Sequence, residues 1–459
     1  MKLTYNVKDK PKFGQVIVFA LQQLLAILAA TIAVPAIIGN GMSASAALFG
    51  AGVGTIVYLL FTKFKSPVFL GSSFAFLGSM ATAFAGAATV SLGYLGLIIG
   101  AAMAGLVYVV IAIVVKVAGV NWINKLMPAV VIGPTVAIIG LSLAGNAIGD
   151  LQKGSVVHEI TVNQINGHAL AQAYTSTAQD ASVYLCILCG LVTLAVTMVC
   201  SVYSKKMLKM IPFIIGILSG YALATVFTVI GNAASIDAMK IIDFSAFQNM
   251  QWVPDFTFIE AAKGFGDIDG SYIATIAVAY VPVAFVVFAE HIADHKNLSS
   301  IIESDLLEDP GLSRTLLGDG VGSAVGAFFG GCPNTTYGES VGCVAISGNA
   351  SVVTILATAV LAMLAAFVAP FVTFLATIPP CVMGGVCVAL YGFIAVSGLK
   401  MIQSVDLGDN KNLFTVSVIL IAGVGGMVLN FGKITITSVA CALILGILTN
   451  VLLNHKKAE

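Results

Sequence analysis

Apolar runs long enough to cross a bilayer recur along this chain, and no other feature constrains its fold as strongly. Two of them are "VIVFALQQLLAILAATIAVPAII", residues 16–38, and "LGYLGLIIGAAMAGLVYVVIAIVV", residues 92–115. In helical form, about 20 apolar residues match a hydrocarbon layer of about 30 Å. The sequence therefore predicts an all-α polytopic membrane protein. Composition agrees, since 9% of the 459 residues are charged and 59% are hydrophobic, whereas soluble domains carry about 25% charged residues. The 47 glycines suit close approach between helices in lipid. A formal net charge of zero names no partner, and nothing points to nucleic acid. The opening "MKLTYNVKDKPKF" is polar and the first apolar run is long enough to span, so no cleaved signal peptide is expected. Cys186 and Cys189 have C-x-x-C spacing, but inside "VYLCILCGLVTLAV" they read as small packing residues, not metal or redox ligands.

Fourteen candidate segments follow: 14–38, 43–62, 68–84, 91–115, 126–146, 183–203, 210–231, 272–292, 313–330, 337–348, 351–376, 381–398, 412–430 and 434–454. The third and tenth are short or broken, by "FLGSSFAFLGS" and "CPNTTYGESVG". With the N-terminus inside, 17 of the 21 basic residues fall on the inner side, leaving Lys153, Lys240, Lys263 and Lys433 outside. This bias predicts a cell-membrane protein with both termini cytoplasmic. The connections 147–182 and 232–270 then lie outside. The second is expected to hold a short interfacial helix, with Trp252 near the membrane surface. His158 and His168 of the first read as solvated loop histidines.

Fourteen spans divide into two sevens, and an odd number per half forces inverted topology. The weak segments stand third in each half. Phe74 and Tyr337 are 263 residues apart, and the same offset carries Thr31 onto Asp294 and the fourth span onto the eleventh. Interrupted segments at matching places of inverted halves point to a transporter's binding site. The plainer alternative is that both are packing stretches rich in small residues.

Three acids stand at membrane depth: Glu290 in "VPVAFVVFAEHIADH", Asp319 in "LLGDGVGS" and Glu339 in "NTTYGES". Ionisable groups there are costly and mark functional sites by default. Arg314 is the only arginine, and no lysine interrupts these spans. Acids without a permanent counter-ion suit a carrier that takes up and releases protons. Glu290 and Asp294 share a helical face, and His291 and His295 share a neighbouring one. A solvated cytoplasmic helix end is the alternative for Asp294 and His295. For Asp319, between two glycines, a packing hydrogen bond stands beside a substrate role. Carboxylates accept from N–H groups, while half-helix starts offer backbone N–H donors. A planar nucleobase such as uracil, presenting both N–H and C=O edges, satisfies both sets, with Phe74 and Tyr337 as apolar or stacking surface. A metal cation would compete for the carboxylates, but the oxygen ligands are sparse; an anion is disfavoured by the acids.

"FAEHIADH", "LLGDGVGSAVGAFFGGCPNTTYGES", "PPCVMGGVCVALYGFIAVSGLKMI", "LQQLLAILAATIAVP" and "GSSFAFLGS" resemble the uracil permease branch of the nucleobase–ascorbate transporter family, over essentially the whole chain. The resemblance implies fourteen segments as two inverted seven-segment repeats, with short strands in segments 3 and 10. It implies a core domain from 1–120 and 272–380 and a gate domain from 121–271 and 381–459. It further implies proton-coupled uracil import by alternating access, without a cofactor, and a homodimer. Carried over, Glu290 and Glu339 hold the base with Phe74, Tyr337 and Gly338, and Ala30 lines the pocket. Glu290, Asp294 and His295 are then the proton-coupling candidates. Two departures stand out. The family usually carries Gln-His in the first span where this chain has Gln22-Gln23, and histidine where this chain has Asp294. The remaining readings are a symporter of xanthine or another nucleobase, and an ion channel or anion exchanger of similar architecture. A membrane enzyme has no nucleophile–base pair to support it.

Overall fold

The computed structural model describes residues 3–119, 128–166, 169–205, 208, 211–248, 250–431 and 434–454. His168 lies outside the described residues, as do Lys2, Lys125, Lys206, Lys209, Lys433, Lys456, Lys457 and the first two positions of the fifth candidate span.

Helices occupy the apolar runs. In chain order they are α1 (Phe13–Ile38), α2 (Ala44–Phe61), α3 (Leu77–Ala85), α4 (Val90–Ala118), α5 (Ala129–Ser142), α6 (Ala144–Leu151), α7 (Val183–Tyr203), α8 (Pro212–Ala234) and α9 (Thr257–Lys263). Then come α10 (Gly270–Ile302), α11 (Leu312–Gly330), α12 (Gly338–Ser347), α13 (Val352–Ala365), α14 (Ala369–Ala376), α15 (Pro380–Ile402), α16 (Asn410–Val424) and α17 (Ser438–Asn454). Three antiparallel strand pairs complete the described chain: β1 (Leu70–Ser72) with β4 (Asn334–Thr336), β2 (Val157–Asn166) with β3 (Ala169–Gln179), and β5 (Leu429–Phe431) with β6 (Ile434–Ile436).

Local chemistry sets the helix starts. Ser43 Oγ accepts from the Ala46 N–H ahead of α2, and Thr89 Oγ1 accepts from the Leu92 N–H ahead of α4. Asp269 Oδ1 accepts from the Tyr272 N–H at 2.6 Å and opens α10. Each side chain satisfies a donor that the helix itself leaves free. Among the described residues, eight helical stretches, with α5 and α6 taken together, are long and apolar enough to cross a membrane. A ninth arises if α13 and α14 are one bent span. The third, tenth, thirteenth and fourteenth candidate segments hold the shorter α3, α12, α16 and α17, and the ninth holds α11, which is long enough at 19 residues but less apolar, with Arg314, Asp319 and several glycines.

Three expectations need correction. The stretch 351–376, read as one span, breaks after Ala365 and resumes at Ala369. The fifth segment runs on to Leu151, with an interruption at Leu143. The connection 147–182, read as loop, carries the β2–β3 hairpin, with His158 in β2. The expected short helix in 232–270 is α9, and Trp252 is exposed.

The chain divides into two compact units. The first comprises Met1–Leu143, Trp252–Val372 and Leu390–Glu459, and the second Ala144–Gln251 and Thr373–Ala389. In the first, α11 lies between α2 and α4 at backbone contact. A Cβ on Gly50 would sit 2.4 Å from the Gly326 carbonyl oxygen, and one on Gly105 would sit 2.6 Å from that of Gly320. Such approach replaces the hydrophobic drive that lipid cannot provide. In the second unit, Thr193 of α7 occupies the place a Cβ on Gly220 of α8 would need. The Cys186 thiol there meets Cys381 at the start of α15, and Cys186, Cys189 and Cys381 are all buried.

Candidate functional site

The site grows from the two broken segments of the first unit. β1 and β4 pair antiparallel in the register Leu70↔Thr336, Gly71↔Thr335 and Ser72↔Asn334. Two flanking bonds extend the pair: Ser73 N–H donates to the Pro333 carbonyl at 2.9 Å, and Tyr337 N–H to that of Phe69 at 3.2 Å. Each strand feeds a helix start. β1 runs through a tight turn at Phe74–Phe76 into α3, and β4 runs through Tyr337 into α12. First-turn N–H groups have no partner within a helix, so the start of α12 presents donors and a positive dipole end.

Neighbouring elements hold this pair in place. Thr55 Oγ1 on α2 donates to the Leu70 carbonyl at 3.2 Å and accepts its N–H at 2.9 Å. Asn334 Nδ2 donates to the Gly50 carbonyl at 3.1 Å. From α1, Gln23 Nε2 donates to Ser340 Oγ at 2.5 Å, and that hydroxyl accepts the Phe69 N–H at 3.0 Å. Gln23, where the resembling family usually has histidine, thus joins α1, the approach to β1 and the start of α12 in one node.

α10 brings the acids to the pair. Asp294 Oδ2 accepts from Thr336 Oγ1 of β4 at 2.9 Å. The Asp294, Glu339 and Asp319 carboxyls all act electrostatically on Glu290, one turn back along α10. Glu290, Asp294 and Glu339 are half-buried, whereas Asp319 is fully buried. Gly338, the first residue of α12, stands by Asp294, whose Oδ1 lies 3.9 Å from where a Cβ would be.

Tyr337 and Phe74 are placed differently from each other. The Tyr337 ring is buried flat against Gly71, where a Cβ would come within 2.3 Å of it. Its hydroxyl donates to the Ser72 carbonyl at 2.7 Å and meets the Thr31 side chain of α1. Phe74 meets Tyr391 of α15 edge-on, with ring centroids 5.7 Å apart. It lines a cavity of about 160 Å³ with Gly78, Ser79, Val283 and Thr437. Ala30 is buried on α1 beside Thr31.

Behind the acids lies a second polar layer. His291 Nδ1 is 2.7 Å from Asp319 Oδ2, and its Nε2 is 3.0 Å from Thr315 Oγ1. Thr315 has one hydroxyl proton, and it goes to the Leu312 carbonyl at 3.0 Å. His291 Nε2 must then be a donor, so one proton is shared between His291 Nδ1 and Asp319 and the pair is neutral overall. His295 Nδ1 donates to the His291 carbonyl at 2.8 Å, and its Nε2 is 2.6 Å from the Tyr58 hydroxyl, itself 2.7 Å from Ser66 Oγ. His295 is 1% exposed, so the solvated helix end weighed for it does not hold. Of the predicted residues, Glu290, Asp294, Glu339 and Gly338 are drawn together, while His295 belongs to this deeper layer. Tyr58, Ser66 and Ser340 went unread in the sequence, since nothing local distinguishes them. Among the described residues, no group of three potential ligands is placed to hold a metal ion.

A family model described as "Permease family" matches residues 14–431. The chain belongs to this permease family. It is 38% identical over 457 residues to the uracil permease of Bacillus caldolyticus, covering 98% of this chain and 95% of that relative. It is 35% identical to the uracil permease of Bacillus subtilis (strain 168), covering 100% and 97%. With the uracil permease of Escherichia coli (strain K12) it shares 34% identity, covering 96% and 92%. Among solved structures, it is similar to the transmembrane domain of the cyanobacterium bicarbonate transporter BicA, with a TM-score of 0.57 at 14% identity, covering 97% of this chain and 99% of that one. The murine Solute Carrier 26 family member A9 anion transporter in the inward-facing state matches with a TM-score of 0.65 at 12% identity, covering 97% and 69%. At those identities the likeness carries fold alone. Family and relatives together make this chain a multi-pass, mostly helical membrane transporter and not an enzyme.

Proposed function

We propose that this permease imports uracil together with protons across the cell membrane, by alternating access. Its fourteen segments form two inverted sevens with both termini cytoplasmic. Segments 1–4 and 8–11 make a core domain, from 1–120 and 272–380, and the rest a gate domain, from 121–271 and 381–459. Uracil presents two ring N–H donors and two carbonyl acceptors. Glu290 and Glu339 accept from its N–H groups, while the free N–H groups at the start of α12, from Gly338 onward, donate to its carbonyls. Phe74 closes the apolar side. Tyr337 serves by bracing β1 against α12, and Ala30 by packing behind the site. Protons enter through Glu290 and Asp294, with His295 supporting α10 from the deeper layer. The protein works as a homodimer and needs no cofactor.

The observation that supports this reading most is the gathering of half-buried Glu290, Asp294 and Glu339 around the helix starts held by the β1–β4 pair. The printed names of the uracil permease relatives support the substrate. A xanthine or other nucleobase symporter is the second reading, because the same acceptor–donor pattern accommodates other bases. Uptake of radiolabelled uracil into proteoliposomes, with and without an inward proton gradient, separates them. Gradient-stimulated accumulation of uracil is expected. Accumulation of xanthine in its place, or uracil uptake indifferent to the gradient, would overturn the corresponding part of the proposal.

A further inference from the structure

The residues ahead of α1 run along the turn that joins α12 to α13. The Thr4 and Tyr5 N–H groups both donate to the Gly348 carbonyl, at 2.7 and 3.2 Å. In return the Tyr5 carbonyl accepts from the Ala350 N–H at 2.9 Å, and that of Val7 from the Val352 N–H at 3.2 Å. Tyr5 and Asn349 form a parallel bridge, and Ser351 Oγ donates to the Asp9 carbonyl at 2.6 Å. The segment is itself braced: Asp9 Oδ2 accepts the Asn6 N–H at 2.7 Å, and the Tyr5 hydroxyl donates to Gln15 Oε1 of α1 at 2.8 Å.

α12 has 10 residues. A helix so short is not stable alone and takes its position from what holds its ends. Its first turn carries Glu339 and is tied through Ser340 to Gln23 of α1. Its far end terminates at Gly348, in a left-handed conformation at φ 67°, and the carbonyl of Gly348 is the one that Thr4 and Tyr5 clasp. Both ends of α12 are therefore held by the first 23 residues of the chain. We infer that Thr4–Asp9 is a positioning strap: it fixes where α12, and with it Glu339, stands, and so sets substrate affinity without touching substrate. In its functional arm this rests on the uracil reading above.

The test compares the parent chain with one lacking residues 4–9 and with Ser351→Ala, which loses only the tie to Asp9. Hydrogen exchange of the backbone amides reads the strap directly, and calorimetry of uracil binding reads its consequence. In the shortened chain, the α12 amides are expected to exchange at least roughly tenfold faster while α11 stays protected. The uracil dissociation constant should rise by roughly tenfold, as the binding-competent fraction falls. Ser351→Ala should move both readouts the same way by roughly two- to threefold, and it decides the matter if the shortened chain does not fold. Unchanged exchange in α12 refutes the strap. So does faster exchange with unchanged affinity, and so does a uniform loss of protection across α2, α4 and α11, which would mark a general structural support. If the parent chain binds no uracil, the substrate reading fails alone, and the exchange of α12 still decides the strap.

Discussion

Gly71→Ala probes the centre of the site with one carbon atom. The new Cβ would stand 2.3 Å from both Cε2 and Cζ of Tyr337 and 2.8 Å from its Cδ2, where carbon contacts prefer about 3.5–4.0 Å. The ring has no easy retreat, because its hydroxyl is fixed to the Ser72 carbonyl at 2.7 Å. The strand has none either, since Leu70 is bonded on both sides to Thr55 and Gly71 is paired with Thr335. Overpacking of this kind costs about 1–3 kcal/mol, and loss of the tyrosine hydrogen bond adds about 1 kcal/mol. A total of about 2–4 kcal/mol, expressed as displacement of α12 and Glu339, corresponds to roughly 30- to 1,000-fold in affinity at about 1.4 kcal/mol per tenfold. Calorimetry of uracil binding in detergent gives the number, and thermal unfolding shows that the variant is folded. Gly342→Ala on α12 is the control, since nothing lies within 4 Å of its Cβ and alanine improves helix propensity. Affinity in Gly71→Ala within about threefold of the parent would refute the reasoning, as would equal damage in the control.

Other expectations follow from single contacts. Glu339→Gln should abolish uracil binding and leave thermal stability near that of the parent, because the amide keeps one neutral acceptor oxygen and sets an NH2 donor where the second carboxylate oxygen stood; unchanged binding by calorimetry removes Glu339 from the site. Thr336→Val keeps the side-chain shape but deletes the 2.9 Å bond to Asp294, a loss of about 0.5–1.5 kcal/mol; proton-stimulated uptake should suffer more than binding at equilibrium. Asp319→Ala leaves the neutral His291 without a partner at Nδ1 in a fully buried place, so unfolding in denaturant should show a loss of about 1–3 kcal/mol. On the soluble side, Glu260 is held below the ordinary glutamate range by hydrogen bonds from Lys263 and Ser91. That contribution is full above the ordinary value and lost as pH falls through the lowered one. The melting-temperature gap between the parent and Glu260→Gln should therefore close on acidification, and a gap that widens would contradict it.

The sequence carried the long spans openly, because twenty apolar residues leave few choices. It also exposed the broken segments, because "GSSFAF" and "NTTYGE" interrupt apolar runs at matching places, and β1 and β4 are found there. Glu290 and Glu339 stood out as candidates because a carboxylate is conspicuous in such surroundings. The β2–β3 hairpin escaped, although Asn166-Gly167 between alternating residues is a recognised hairpin signal. The node of Gln23, Ser340 and Phe69, and the contact of Tyr58 with His295, were beyond reach. Their partners stand 317 and 237 residues apart, and no local pattern encodes such a meeting. His295 shows the cost: next to a lysine at the end of an apolar run, it reads as solvated, yet the Tyr58 hydroxyl takes the place of water.

The β1–β4 pair also bears on how such a chain is made. Lipid offers no hydrogen bonds, so the backbone of a broken segment must be completed by protein. The partners of Leu70, Gly71 and Ser72 are Thr336, Thr335 and Asn334, which leave the ribosome more than half a chain later. If the third segment enters the bilayer as proposed, it has no finished place there until then. A nascent chain halted before Asn334 therefore holds an incomplete span, and quality-control proteases should find it there. Synthesis of the second half is what supplies the backbone partners of β1.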